Sequence, residues 1–165
     1  MLTAVALAAC SSSRAPDPAQ PTSPTRYGLF SQLKALGSGI WGRARVVDRG
    51  DGVEVTLTMV NLPMGPFRVA FTETPNCSSP NGFSAGQPWA PAGRDPRTLV
   101  QPLYNAKEGS TETSVFVRGV HVAGPDGVQQ RSITIYAGDQ VTDARPDVPN
   151  NRVACGTFDP VQPFF

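Results

Sequence analysis

The chain has 165 residues, a formal net charge of +1 and only 16% charged residues. That balance leaves no basic block for a nucleic acid to engage, and no apolar run reaches the ~18 residues of a transmembrane helix. Sixteen glycines and 17 prolines favour turns and short strands over helices, and the length suits one domain with a substantial core plus a tail.

Residues 1–10, MLTAVALAAC, are apolar and alanine-rich and end Leu7-Ala8-Ala9-Cys10. The segment is similar to the lipobox of bacterial lipoproteins, in which the cysteine is acylated before cleavage. The alternatives are an ordinary secretory signal or a stray apolar start. Acyl chains on Cys10 would anchor the protein stably, at about 0.8 kcal/mol per buried methylene. Ser11 after the cysteine is compatible, by resemblance, with sorting to the outer membrane of a Gram-negative cell. Residues 11–26, SSSRAPDPAQPTSPTR, hold four prolines and no large apolar side chain, and are expected to form a disordered tether. The expected organisation is a signal peptide over 1–9, a lipidated Cys10 and tether over 10–26, and a folded domain over 27–165.

Tyr27–Leu36 suits a short amphipathic helix or turn, or a first strand. From Gly39 onward the pattern is β. Ile40–Asp48 is rich in β-branched residues, and Asp48-Arg49-Gly50-Asp51-Gly52 is a hairpin turn signal. Val53–Val60 alternates Val, Val, Leu and Met with Glu, Thr and Thr, which predicts a strand with one buried face. Leu62-Pro63-Met64-Gly65 predicts a tight turn, Phe67–Phe71 a strand, and residues 74–98 irregular structure. Further strands are expected at Val100–Tyr104, Ser114–Val117 and Arg131–Tyr136. Seven or eight short strands separated by turn residues point to an antiparallel sandwich or barrel.

Four stretches resemble the copper/zinc superoxide dismutase family, in that family's order. Leu62-Pro63-x-Gly65 resembles the turn before its copper strand. Cys77 to Gly86, CSSPNGFSAG, resembles its disulfide loop. Arg131 to Asp139 resembles a late barrel strand, and Asn150 to Gly156, NNRVACG, resembles its C-terminal Arg and Cys. The resemblance covers roughly residues 40–158 and implies an eight-stranded Greek-key β-barrel.

The metal chemistry of that family is missing from the matching positions. Its copper strand carries His-x-His where this chain has Ala70 and Thr72. The bridging histidine falls near Pro88, the last copper histidine at Tyr136 and the zinc aspartate near Leu99. Residues 91–98 are too short to hold the remaining zinc histidines. The chain has one histidine, His121, and one imidazole does not build a copper or zinc site. Its simplest role is that of a surface or edge-strand residue. Glu73 and Asp139 offer only weak hard-cation donors. The expectation is a module without cofactor; copper and zinc enter only if the site has unusual ligation.

Three retained features follow from the resemblance. Cys77 and Cys155 match the family's disulfide, which would persist in an exported, oxidising compartment; two free thiols are the alternative. Arg152 matches the arginine that steers superoxide in the family. Here it would tie loop carbonyls through its five donors, or bind a small anion in a former active-site pocket. Tyr136, Trp89, Phe67 and Phe71 would replace the metal cavity by packing, or line a small-ligand pocket with Arg152. The expected setting is the periplasmic side of the bacterial envelope, the outer membrane more than the inner. Contacts would be the membrane through Cys10 and an envelope protein or small anion; the resemblance also admits a homodimer.

Overall fold

Val53, Val55, Leu57 and Met59 are fully buried, whereas the intervening Glu54, Thr56 and Thr58 are half-buried. This period-two pattern makes Gly52–Leu62 a strand with one face in the core. Its hairpin partner is Trp41–Arg49, and the pair Arg49↔Gly52 leaves only Gly50 and Asp51 in the turn. Gly50 has φ +65°, a conformation that glycine adopts without strain. The computed structural model describes residues 26–159 and 162–164. The expected lipobox, Cys10 and the expected tether up to residue 25 lie outside the described residues.

The strands are β1 (Arg26–Ala35), β2 (Trp41–Arg49), β3 (Gly52–Leu62), β4 (Gly65–Thr72), β5 (Gln101–Asn105), β6 (Gly109–Arg118), β7 (Ser132–Ala137), β8 (Arg152–Thr157) and β9 (Gln162–Phe164). Eight of them run in the order β5-β4-β7-β8-β1-β2-β3-β6, and β9 pairs with the start of β1. All the ladders are antiparallel. The path ends, β5 and β6, approach each other without a ladder, so the sheet is a nearly closed barrel. The β3–β4 connection passes β6 and β5, and the β6–β7 connection passes β5 and β4, which makes the winding a Greek key.

Leu29, Leu33, Val46, Phe71, Ile133 and Ile135 fill the barrel from four strands. Burying each such side chain contributes on the order of 1.5–3 kcal/mol.

Tyr27–Leu36, which suits a helix or a strand by sequence, is a strand. Leu29, Ser31 and Leu33 point inward while Phe30, Gln32 and Lys34 are exposed, and this alternation fits a half-buried sheet. β1 pairs with β2 from Gly28 to Leu33 and with β8 at Lys34 and Ala35. β6 is longer than Ser114–Val117 because its polar first half pairs along β3 as far as Leu62. β8 has no hydrophobic alternation in its sequence, RVACGT, and is held by ladders to β7 and β1.

Candidate functional site

Strands β4, β7 and β8 are buried on both faces, and the site lies on their outward side. In β7, Ile133 and Ile135 enter the core, so Ser132, Thr134 and Tyr136 point the other way. The register sets Thr72 opposite Ser132, Ala70 opposite Thr134 and Arg68 opposite Tyr136. Across β8, Thr134 faces Cys155 and Tyr136 faces Arg152. Four of the positions singled out by resemblance thus converge. Ala70, Thr72 and Tyr136 share this face, and Pro88 bridges to Thr72. The fifth, Leu99, ends a 3-10 turn before β5 and packs into the core.

Two loops roof this face. The first leaves β4 and doubles back on it: Glu73 N–H donates to Gln87 O, Thr74 N–H to Ala85 O and Trp89 N–H to Phe71 O. It contains Cys77, which is bonded to Cys155 of β8 with a Cα separation of 5.7 Å. The disulfide implied by the resemblance is therefore formed. It closes a separation of 78 residues, which restricts the unfolded chain by on the order of 4 kcal/mol. The second loop, residues 138–151, is held by Asn151, whose amide donates to Ala137 O and Gln140 O.

Arg152 joins the two loops from below. It is 3% exposed. Its Nη1 donates to Gly82 O at 2.8 Å, and its Nη2 to Gly86 O at 2.8 Å and to Thr142 O at 3.3 Å. The guanidinium carbon lies 5.4 Å from the ring centroids of Phe83 and Tyr136, within cation–π range. No carboxylate approaches it within ion-pair distance among the described residues, and its Nε–H has no partner. Burial lowers the Arg152 pKa from its usual value, against the pull of Tyr136 and Asp143. Gly82 makes the approach feasible. It has φ +74°, and a Cβ there would lie 2.6 Å from Leu36 Cδ1.

Tyr136 is fully buried and its hydroxyl has no hydrogen-bond partner. Burial pushes its pKa up to about 12, although Arg152 and the nearby Thr134 hydroxyl favour the phenolate. At neutral pH the side chain is a protonated phenol. Thr134 is itself turned to Thr72 Oγ1 at 3.2 Å and Cys155 Sγ at 3.7 Å. Ser132 gives its single proton to Thr74 O at 2.7 Å, so Thr72 is the donor in the 2.6 Å contact with Ser132 Oγ. A chain of hydroxyls thus runs from the first loop to the disulfide.

These residues do not fit a copper or zinc ion. Ala70 and Leu99 have no donor atom, Pro88 has only a carbonyl, Thr72 is committed to Ser132, and Tyr136 is a neutral phenol beside a cation. Among the described residues no group of three or more His, Cys, Asp and Glu is placed to hold a metal. Glu73 accepts from Gln87 N–H at 2.9 Å and Asp139 lies 3.6 Å from Arg68. His121 is exposed on a turn after β6, 3.6 Å from Asp48.

Arg152 and Tyr136 are closed to solvent. Trp89 is half-buried, with Arg131 stacked 4.3 Å over its ring. An open groove of roughly 680 Å³ is lined by Gln87, Pro88, Val100, Val141 and Asp143 among others. Its charges are internally matched: Arg97 lies 3.7 Å from Asp95, and Arg145 3.1 Å from Asp143.

No protein-family model matches the chain, and no curated protein matches it. The loop carbonyls of Gly82, Gly86 and Thr142, and the hydroxyls of Ser132 and Thr134, are the site groups that sequence reading misses. The alternation Ser-Ile-Thr-Ile-Tyr in β7 is the signal that marks a strand with one apolar and one polar buried face.

Proposed function

We propose that this chain is a non-catalytic, metal-free relative of the copper/zinc superoxide dismutases, acting as a binding or structural module. In this reading Cys10 is lipidated and tethers the barrel to the periplasmic side of the bacterial envelope, at the outer membrane. One observation carries it: four of the five positions that the resemblance assigns to the metal, Ala70, Thr72, Pro88 and Tyr136, meet on one face, and that face is filled by Arg152, Tyr136 and the loop carbonyls. A polar metal cavity without its ion would leave costly unpaired groups; small and aromatic side chains remove most of them.

Metal analysis of the purified, disulfide-intact protein after loading with copper and zinc tests this reading. The expected result is no stoichiometric retention of either ion and no dismutation of superoxide. Sub-micromolar copper binding with dismutation would instead favour an active enzyme of unusual ligation. Mass spectrometry of the protein extracted from membranes should find acyl chains on Cys10.

A second reading, a small-anion binder, is favoured by the unpartnered donors Arg152 Nε and Tyr136 Oη. It requires the two roofing loops to part. A screen of inorganic and carboxylate anions by thermal unfolding distinguishes it, since a ligand specific to the folded state raises the midpoint.

A further inference from the structure

The two sulfurs of the Cys77–Cys155 bridge sit in unlike surroundings. A cleft of about 250 Å³ opens onto the bridge, lined by both cysteines and by Gln32, Lys34, Asn76 and Ser78 among others. Cys77 lies in the first roofing loop and is half-buried, whereas Cys155 lies in β8 and is closed to solvent. Thr134 Oγ1 stands 3.7 Å from Cys155 Sγ and 3.2 Å from Thr72 Oγ1, so its proton can turn to either. Lys34 is opposite Cys155 in the β1–β8 register, which sets their Cβ atoms about 5 Å apart. It is exposed, it is the one charged side chain lining the cleft, and it is in no ion pair among the described residues. A hydroxyl proton and an ammonium beside one sulfur favour its thiolate. The loop has other ties that keep Cys77 over β8. Ser84 Oγ donates to Asn76 O at 3.1 Å, Ser132 Oγ to Thr74 O at 2.7 Å and Arg152 to Gly82 O and Gly86 O.

We propose that Cys77 is a thiol-exchange site, at which a dithiol oxidoreductase forms and opens the bridge, with Cys155 as the resolving thiolate. In the opening direction a thiolate of the partner attacks Cys77 Sγ and forms a mixed disulfide. The electron pair of the broken S–S bond leaves on Cys155 Sγ, where the Thr134 hydroxyl and the Lys34 ammonium stabilise it. The partner's second thiolate then attacks the partner sulfur of the mixed disulfide. Cys77 leaves as a thiolate, and the partner carries away the two-electron oxidation as its own disulfide. Closing is the reverse: Cys155 thiolate attacks Cys77 Sγ in the mixed disulfide and expels the partner. The loop bonds hold Cys77 within reach for that step. The partner's compartment rests on the reading of the chain as exported; the sulfur chemistry does not.

The test uses the full chain with Cys10→Ser, so that only the bridge can react. The purified, disulfide-bonded protein is exposed briefly to reduced glutathione under native conditions, alkylated and mapped by peptide mass spectrometry. Glutathione is expected on Cys77 and the alkyl group on Cys155. Lys34→Gln should slow the first cleavage about threefold, because the leaving thiolate loses its cation. Thr134→Val should slow it to a similar degree, and Thr134→Ser should restore the rate. A dithiol oxidoreductase whose second cysteine is replaced by Ala should be caught on Cys77 as a mixed disulfide. Glutathione on Cys155, or equally on both cysteines, overturns the proposal. So does cleavage that proceeds only as fast as global unfolding. Unchanged rates in both K34Q and T134V overturn the roles given to Lys34 and Thr134, and capture by glutathione but not by the oxidoreductase overturns the partner class.

Discussion

Arg152 and Tyr136 meet across the β7–β8 register with the guanidinium 5.4 Å from the phenol ring, both closed to solvent. Among the described residues the cation has no carboxylate partner and the phenol has no hydrogen-bond partner. At this distance the negative potential of the ring's π-face attracts the guanidinium charge. This pair, with the disulfide, holds two long loops over one side of the barrel.

Replacing Arg152 by Met should destabilise the fold by about 2–4 kcal/mol, because the Gly82, Gly86 and Thr142 carbonyls lose a charged donor. Arg152→Lys should recover only part of this, since an ammonium cannot reach the same spread of acceptors. Urea unfolding midpoints decide the matter. A change below about 0.5 kcal/mol for Arg152→Met would show that the loops hold without it.

Tyr136 makes stability depend on alkaline pH. Burial pushes its pKa in the fold up to about 12, from the usual 10.0 of a tyrosine. Between these values the unfolded tyrosine releases its proton while the folded one keeps it, so stability is full below pH ~10 and falls as pH rises toward 12. The loss is about 2–3 kcal/mol. Tyr136→Phe should flatten this segment of the curve. At pH 7 it should be neutral or slightly stabilising, since it removes a buried hydroxyl with no partner. Denaturant titrations of both proteins at several alkaline pH values measure the difference.

Thr72 is the hub of the hydroxyl chain, with Ser132 at 2.6 Å and Thr134 at 3.2 Å. Thr72→Val keeps the shape but removes the proton given to Ser132 Oγ and the oxygen facing Thr134, at a cost of about 1–3 kcal/mol. Thr72→Ser should cost less than Thr72→Val, because it keeps the donor. An equal loss in both would show that packing of the methyl, not the hydroxyl, decides.

Reduction of Cys77–Cys155, or Cys77→Ala/Cys155→Ala, should lower stability by on the order of 3–4 kcal/mol. Amide exchange should quicken first across residues 73–86, and the β2–β3 hairpin should be the last region affected. Uniform acceleration over the whole barrel would contradict this local role for the bridge.

The barrel is largely legible in sequence where side chains alternate against a clear turn, as in Trp41–Leu62. There the period of two and the Gly50-Asp51 turn give strand, face and register together. β8 is not legible, because Arg152, Cys155 and Gly156 are chosen by what lies above them and not by a core. β1 is ambiguous because Ser31, a small polar residue, occupies an inward position between Leu29 and Leu33. Within the site, the common face of Ala70, Thr72 and Tyr136 follows from strand period once the two strands are known to pair. The carbonyls that hold Arg152 do not follow, since any residue supplies a carbonyl and only the loop path decides which ones point inward.

β1 divides its pairing between a near neighbour and a distant one. Its first part meets β2, a few residues onward, and its end meets β8, where Lys34 lies opposite Cys155. The local half has little loop entropy to overcome and can form as soon as both strands exist; the distant half must wait for nearly the whole chain. Barrel closure and delivery of Cys155 to Cys77 are therefore one late step in folding. A chain interrupted before β8 would hold a β1–β2–β3 meander with an open edge, so the interval before β8 pairs is when this protein is most exposed to aggregation.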